Sequence, residues 1–186
     1  MPCIRSCKAN MPRWLPIALT LLYPPALFFG SRYVPTPVLA IVLLPLLLLR
    51  GTGGIAIGRW LIPGVLLLVG MAIATNAVLP LKLYPLLMNL VFLGVFAASL
   101  RYPPSIIERI ARLRDPNLPP AGVAYTRRVT QVWCGFFIVN GTLALVTTLW
   151  ASDKVWFWYN GVIVYGLMAL LFGGEWLVRQ RVMRHA

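Results

Sequence analysis

Charged residues are scarce in this sequence, and acidic residues are scarcer still. Only 11% of the 186 residues are charged, against roughly 25% in an ordinary soluble domain. Hydrophobic residues make up 60% of the chain. Because a water-soluble protein of this length could not bury so much apolar surface, we expect lipid to surround much of it. The composition therefore excludes an ordinary soluble domain.

Cysteine, histidine and acidic residues are too few and too scattered for most kinds of catalytic or metal site. The chain has three cysteines, one histidine and four acids. Cys3 and Cys7 lie in a short tail, Cys134 lies inside an apolar run, and His185 is the penultimate residue. This spacing indicates neither a disulfide framework nor a zinc site, and no nucleophile with a base is evident. We therefore predict no catalytic, cofactor-binding or metal-binding residues.

Long apolar runs are what the sequence has in abundance, and they define the predicted architecture. A membrane-spanning helix needs about 20 residues, and six runs approach or exceed that length. The second run is short and contains three prolines, so its full crossing is left open, as is the start of the chain at Met1 or Met11. The prediction is an all-α, polytopic membrane bundle with spans at 14–30, 34–49, 60–81, 83–100, 129–150 and 155–178, between basic tails at 1–13 and 179–186.

The basic residues are distributed unequally between the predicted loops. With the N-terminus in the cytoplasm, 14 of the 17 Lys and Arg residues lie in cytoplasmic segments, and only Arg32, Lys82 and Lys154 lie in outer loops. This bias orients short loops, with the positive side inside. The seven tryptophans fall near the ends of the predicted spans, where an amphipathic ring lies at headgroup level. We therefore predict six spans with both termini in the cytoplasm.

One compact basic segment, at 105–115, is predicted to be a helix that lies on the cytoplasmic membrane surface. Ser105 and Glu108 have the spacing of a capping box, and Asp115 before Pro116 ends the helix; the stretch 115–125 is then interpreted as a stiff linker. Such an amphipathic helix places its arginines near anionic lipid headgroups. Docking of a soluble protein partner is a compatible alternative, whereas nucleic acid is not expected because stacking aromatics are missing. The residues predicted to face lipid or a partner are Arg109, Arg112, Arg114, Arg127 and Arg128.

Four polar residues inside or near the spans are candidates for a functional role. Asn140 and Asn160 are predicted to form interhelical hydrogen bonds, with a substrate path as the alternative. Glu175 precedes Arg179 by four residues, which favours an ion pair on one helix face. The alternative for Glu175 is a proton-coupling or binding acid, since acids within a membrane often have functional roles.

The C-terminal part of the chain, from "VTQVWCGFF" at Val129 to "VRQR" at Arg181, resembles the inner-membrane septation protein A family (also called YciB). The resemblance extends over about 14–181. It implies a bacterial inner-membrane protein that acts in envelope maintenance, elongation or septation through protein contacts, with no established catalysis. A looser resemblance is to membrane proteins encoded beside type II fatty-acid or aryl-polyene synthesis genes. The positions that carry the first resemblance are Trp133, Phe136, Phe137, Asn140, Trp156, Phe157, Gly161 and Arg179.

Three functional hypotheses follow from these observations. The favoured one is a non-enzymatic membrane scaffold or accessory in cell-envelope biogenesis. The second is a small transporter or lipid flippase, and the third is a membrane subunit of an acyl-chain or aryl-polyene biosynthetic system. The expected partners are anionic lipid headgroups and a membrane or cytoplasmic protein, with no nucleic acid and no cofactor. Self-association into a homo-oligomer is left open.

Overall fold

A computed structural model describes residues 15–49 and 57–184, and these residues contain helices and no strand. The predicted all-α class is therefore confirmed. The tail at 1–13, Trp14, Arg50 and His185 lie outside the described residues. The helices are α1 (Leu15–Tyr33), α2 (Thr36–Leu49), α3 (Ile57–Thr75), α4 (Leu79–Lys82), α5 (Tyr84–Arg101), α6 (Ile106–Arg112), α7 (Pro120–Trp150), α8 (Asp153–Trp158) and α9 (Val164–Arg184), with a π-helical turn at Tyr159–Ile163 that joins α8 to α9.

Within residues 15–49 and 57–184, three helical segments are long and apolar enough to cross a membrane: Leu79–Arg101, Pro120–Trp150 and Asp153–Gln180. Large apolar side chains cover their outer surfaces; Val139 on α7 is 61% exposed and Leu170 on α9 is 73% exposed. Such a surface is unfavourable in water and favourable in lipid. The structure therefore supports a membrane protein with transmembrane helices.

In the N-terminal half, the described parts of α2 and α3 are shorter than the spans predicted there. The described part of α2 has 14 residues, which corresponds to about 21 Å, less than the roughly 30 Å of a bilayer's hydrocarbon core. The apolar stretch Leu61–Thr75 of α3 is also shorter than a typical span. The count of six spans therefore stays a prediction.

The predicted span at 60–81 is wrong as one continuous helix, because α3 ends at Thr75. Asn76 adopts a left-handed backbone conformation with φ of 50°, which asparagine tolerates better than most residues. The Thr75 hydroxyl donates to the carbonyl of Met71 (2.7 Å), and Pro80 lies in the first turn of α4, where a missing N–H costs little. These features separate α3 from the segment that contains α4 and α5.

The predicted linker at 115–125 is also wrong in part, because α7 begins at Pro120. Pro119 is extended and Pro120 is the first helical residue, where the fixed φ of proline suits the helix. The 31 residues of α7 extend over about 46 Å, which exceeds the roughly 30 Å hydrocarbon thickness. The first turns of α7 therefore extend beyond the span predicted at 129–150.

The predicted helix at 105–115 exists in a shorter form as α6. The Ser105 hydroxyl accepts from the backbone N–H of Glu108 (3.3 Å), as expected for an N-cap. Glu108 does not complete a capping box, because its carboxylate pairs with Arg112 (2.8 Å). The helix ends at Arg112, and Asp115 lies beyond it. Its location on a membrane surface stays a prediction.

Helices α5 and α7 form the central antiparallel pair. Phe92 of α5 stacks on Phe137 of α7 with ring centroids 5.5 Å apart, and Phe96 lies against Trp133 one turn further along (6.3 Å). Gly141 allows close approach, since a Cβ there would lie 3.2 Å from the Cβ of Asn89. This pair carries the polar side chains described below.

A second apolar core lies where α1, α2, α3, α4 and α8 meet. Tyr23 of α1 is buried there and its hydroxyl donates to the carbonyl of Leu81 (2.7 Å). Phe28 of α1 stacks on Phe157 of α8 (4.9 Å). The core therefore ties the N-terminal helices to one end of the α5–α7 pair. Its most buried members are Tyr23, Leu27, Ala40, Leu61, Val65, Ala72, Leu81 and Trp156.

Candidate functional site

A chain of hydrogen bonds links three helical segments in the interior. Asn140 of α7 donates from Nδ2 to Oδ1 of Asn89 on α5 (3.0 Å), and Asn89 donates from Nδ2 to the carbonyl of Pro85 (2.8 Å). Tyr159 of the π-helical turn donates from its hydroxyl to Oδ1 of Asn140 (2.8 Å). Both asparagines are buried, and buried polar groups are costly unless they are paired. We call Asn89, Asn140 and Tyr159 the interior network.

Asn160 lies one residue further on and joins the same helices at a second level. Its Nδ2 donates to Oγ1 of Thr147 (3.3 Å) and to the carbonyl of Trp156 (3.0 Å). A side chain that bonds a carbonyl four residues earlier often bends its helix, and the π-helical turn begins next to it, at Tyr159. Oδ1 of Asn160 is buried without a hydrogen-bond partner in the described part of the chain. Asn160 thus holds α7 and the π-helical turn together and keeps one acceptor unsatisfied.

The end of the bundle near Lys82 is closed by polar contacts between two of the three predicted outer loops. Trp156 donates from Nε1 to Oγ1 of Thr148 (3.1 Å), and Thr148 in turn donates to the carbonyl of Lys82 (3.2 Å). The Lys82 ammonium pairs with Asp153 (2.6 Å). These contacts place the turn before α5 against the turn between α7 and α8.

Glu175 of α9 is held differently from the sequence prediction. Tyr125 of α7 donates from its hydroxyl to the backbone carbonyl of Glu175 (3.1 Å) and to its Oε1 (3.4 Å). Glu175 and Arg179 both lie in the described part of the chain, and no ion pair joins them. The expected pair on one helix face is therefore wrong, because a tyrosine from a neighbouring helix takes the carboxylate.

Between these contacts, α7 and α9 separate and leave an open apolar cleft of 540 Å³. The two helices meet again toward Glu175, where Trp133 packs on Phe172 with ring centroids 4.7 Å apart. Asn140 and Tyr159 contribute the polar end of the cleft. We call this space the α7–α9 cleft; its apolar walls include Val132, Phe136, Val139, Leu167 and Leu171.

The predicted lipid- or partner-facing arginines lie together at the end of the bundle that carries α6. Arg112 pairs with the buried carboxylate of Glu108 and donates from Nη1 to the carbonyl of Pro116 (3.0 Å). Arg114, Arg127 and Arg128 are exposed. We call Arg109, Arg112, Arg114, Arg127 and Arg128 the basic surface. Arg179 lies toward the same end, since its neighbour Glu175 contacts Tyr125 near the start of α7.

Arg109 differs from the other arginines of the basic surface because it lines a groove. Its Nε donates to the carbonyl of Pro104 (3.0 Å), which fixes the guanidinium beside α5. The groove runs along the face of α5 turned away from α7 and has a volume of 630 Å³. We call it the α5–α6 groove; its lining includes Leu90, Gly94, Ala98, Tyr102, Ile106 and Arg109.

Asn89, Tyr125 and Tyr159 bond the predicted candidates but are not themselves predicted from the sequence. Asn89 lies in an apolar run like Asn140, so the same rule that favours interhelical bonds for asparagine applied to it. Tyr125 and Tyr159 are amphipathic and give no sequence signal that distinguishes a bonded hydroxyl from an interfacial ring. Their partners lie on other helices and become visible only in the fold.

Among the described residues, no group of three or more His, Cys, Asp or Glu side chains could hold a metal ion. Comparisons of the chain with protein-family models, curated proteins and solved structures find no match. No relative therefore assigns a role to any of these residues, and the resemblance to septation protein A stays an expectation.

Proposed function

We propose that the chain is a non-enzymatic integral protein of the bacterial inner membrane that acts as a scaffold or accessory in cell-envelope biogenesis. The observation that carries this proposal is the interior network. Its three polar side chains bond one another across helices, which is the behaviour of groups that hold a bundle together. The resemblance to septation protein A favours the same role.

The orientation we propose has six spans and both termini in the cytoplasm. The end of the bundle near Lys82 also carries Arg32, Asp153 and Lys154. The end with the basic surface carries seven arginines from Arg101 to Arg179 and three acids. This excess supports a cytoplasmic location for the basic surface under the positive-inside rule.

A scaffold needs an exposed surface for a partner, and α6 offers one. Ile110 is 57% exposed and Leu113 is 84% exposed, and both lie among the arginines of the basic surface. Exposed apolar side chains framed by charge are typical of protein interaction sites. We therefore propose that a cytoplasmic or membrane partner docks over α6.

Site-specific photo-crosslinking in native membranes tests this proposal. A photoreactive residue at Leu113 should capture a defined envelope or lipid-synthesis protein, identified by mass spectrometry. The matched control is the same photoreactive residue at Leu170, which is 73% exposed and lies on α9. Capture of no protein from Leu113, or of the same mixture from both positions, would count against a scaffold.

A second candidate function is a small transporter or flippase, and the α7–α9 cleft favours it. The cleft has apolar walls and a polar end formed by Asn140 and Tyr159, and Asn160 nearby keeps an unsatisfied acceptor. Flux of lipid or solute in proteoliposomes that Tyr159→Phe abolishes, while the fold is retained, would favour this function over a scaffold.

A further inference from the structure

We propose that the α5–α6 groove binds one anionic phospholipid, with an acyl chain along α5 and the phosphate at Arg109. This inference goes beyond the scaffold function and does not depend on it. It needs only that α5 crosses the membrane, and it holds for either orientation of the chain.

The length of the groove matches one leaflet. Its lining extends from Leu90 on α5 to Tyr102, the residue that follows the helix, which corresponds to about 18 Å at the rise of an α-helix. Half of a bilayer's hydrocarbon core is about 15 Å. The groove therefore begins near the middle of the membrane and ends at the level of the headgroups.

The shape of the groove depends on small residues in its wall. Gly94 lies on the open face of α5, and a Cβ built there would meet no atom within 4 Å. Ala98 follows one turn later. Large side chains at these positions would fill the space, so the small residues create room for a flexible chain beside the helix.

The chemistry at the end of the groove fits a phosphate. Tyr102, 72% exposed, is a residue type that lies at headgroup level. Arg109 is anchored through Nε, which leaves its terminal nitrogens available as donors to a phosphate oxygen. In the described part of the chain Arg109 has no acidic partner, because the nearby Glu108 pairs with Arg112. An anion bound in the groove would therefore supply the missing counter-charge of the Arg109 guanidinium.

A transmembrane helix of a partner or of a second copy is the rival occupant. Gly94 and Ala98 have the small-x3-small spacing that allows two helices to approach closely. An apolar helix in the groove would leave the Arg109 guanidinium without an anion, which favours the lipid. The experiment must therefore separate a lipid from a helix, since a bulky residue at Gly94 would exclude both.

Native mass spectrometry of the detergent-purified full-length protein tests the proposal. Phosphatidylglycerol and phosphatidylcholine with identical acyl chains are the probes. The wild type should bind one phosphatidylglycerol in preference to phosphatidylcholine. Gly94→Leu should weaken binding of both lipids by about tenfold or more, because each excluded methylene loses its burial. Gly70→Leu is the matched control, since Gly70 on α3 also has open space at its Cβ and lies outside the groove.

The charge variants separate a specific site from a diffuse basic surface. Arg109→Gln should lower the affinity for phosphatidylglycerol by about fivefold, the contribution of one basic residue at a membrane surface, and should lower the affinity for phosphatidylcholine less, because the choline cation offsets the charge of its phosphate. Arg114→Gln, on the same surface and outside the groove lining, should have little effect. Equal losses for Arg109→Gln and Arg114→Gln would overturn the proposal in favour of diffuse attraction.

Three further outcomes would also overturn it. Competition by glycerol phosphate as strong as that by phosphatidylglycerol would show that the anion alone is recognised. Full lipid binding by Gly94→Leu would show that no acyl chain lies in the groove. A dimer of the wild type that Gly94→Leu dissociates and phosphatidylglycerol leaves intact would assign the groove to a helix. A failed crosslink at Leu113 would leave all of these readouts unaffected.

Discussion

On the side of α5 that faces α7, Asn89 has both its amide oxygen and its amide nitrogen hydrogen-bonded. In the α5–α6 groove, on the other side of α5, Arg109 of α6 has one nitrogen anchored and no acidic partner in the described chain. The first side uses polar groups to fix one helix to another. The second leaves the Arg109 guanidinium available to an external anion. Buried polar groups that are paired within the fold hold its helices together. A charged group beside an apolar cavity can instead fix the orientation of a ligand.

The interior side is the place where a single substitution should have the largest effect. Asn140→Leu removes the acceptor of Tyr159 and the donor to Asn89, which leaves two groups without partners. We expect a loss of about 1–3 kcal/mol in the free energy of unfolding. The measurement is denaturant unfolding in mixed micelles, followed by the helical circular dichroism signal.

Two controls show whether the loss of stability in Asn140→Leu comes from the broken hydrogen bonds of the interior network. Thr142→Ala, on the same helix, removes an exposed hydroxyl that bonds only the carbonyl of Ile138, and it should change stability by less than about 0.5 kcal/mol. The double variant Asn89→Leu with Asn140→Leu should cost less than the sum of the single variants, because both partners are then apolar. Strict additivity would contradict a direct bond between the two asparagines.

Two glycines of α7 compare the face that packs on α5 with the face that does not, and we expect smaller changes in the free energy of unfolding there. A Cβ at Gly141 would lie 3.2 Å from the Cβ of Asn89, whereas a Cβ at Gly135 would meet nothing within 4 Å. Gly141→Ala should therefore be less stable than Gly135→Ala by about 1 kcal/mol, since α5 and α7 must separate slightly to admit the methyl group. Gly135→Ala should be neutral or stabilise by up to about 1 kcal/mol through helix propensity.

The free energies of unfolding of Gly141→Ala and Gly135→Ala are measured in the same mixed micelles and compared. Equal effects would mean that backbone propensity dominates and that the α5–α7 distance is adjustable. A destabilising Gly135→Ala would indicate that another molecule occupies the α7–α9 cleft, which Gly135 lines.

The sequence predicts local features of this fold better than the contacts between its helices. Apolar runs and the Ser105 cap are local signals, and they locate helices such as α5 and α6. The break at Asn76 depends on one left-handed residue inside an otherwise apolar run, so hydropathy does not detect it. Pro119 and Pro120 fit either a linker or a helix start, and the structure uses them to begin α7.

Glu175 shows why the candidate site is harder to predict than the helices. Its spacing from Arg179 satisfies the rule for a pair on one helix face, yet the carboxylate accepts from Tyr125, 50 positions away in sequence. A partner on another helix competes with a local one only after the helices have packed. Asn140 lacks a local competitor of this kind, and it does bond across helices, as asparagine in an apolar environment is expected to do.

The smallest effect is expected at the Lys82–Asp153 pair, which lies at the surface of the opposite end of the bundle. The two charged groups are 2.6 Å apart; the Lys82 side chain is 18% exposed and the Asp153 side chain is 61% exposed. Because water reaches the carboxylate, the pair should contribute about 0–1 kcal/mol, as exposed pairs do. Asp153→Asn should therefore lower the free energy of unfolding by less than about 1 kcal/mol, and by less at high salt than at low salt because mobile ions screen exposed charges.

Asp153 also lies in the first turn of α8, where a negative charge interacts favourably with the helix dipole. A double-mutant cycle with Lys82→Met separates the two contributions, since only the pair requires the ammonium. The coupling energy measures the pair alone, and the part of the Asp153→Asn effect that persists without Lys82 measures the dipole. A coupling energy well above about 1 kcal/mol would mean that lipid headgroups or a partner shield this end from water, and the difference between the exposed and interior regions would then be smaller than the structure indicates.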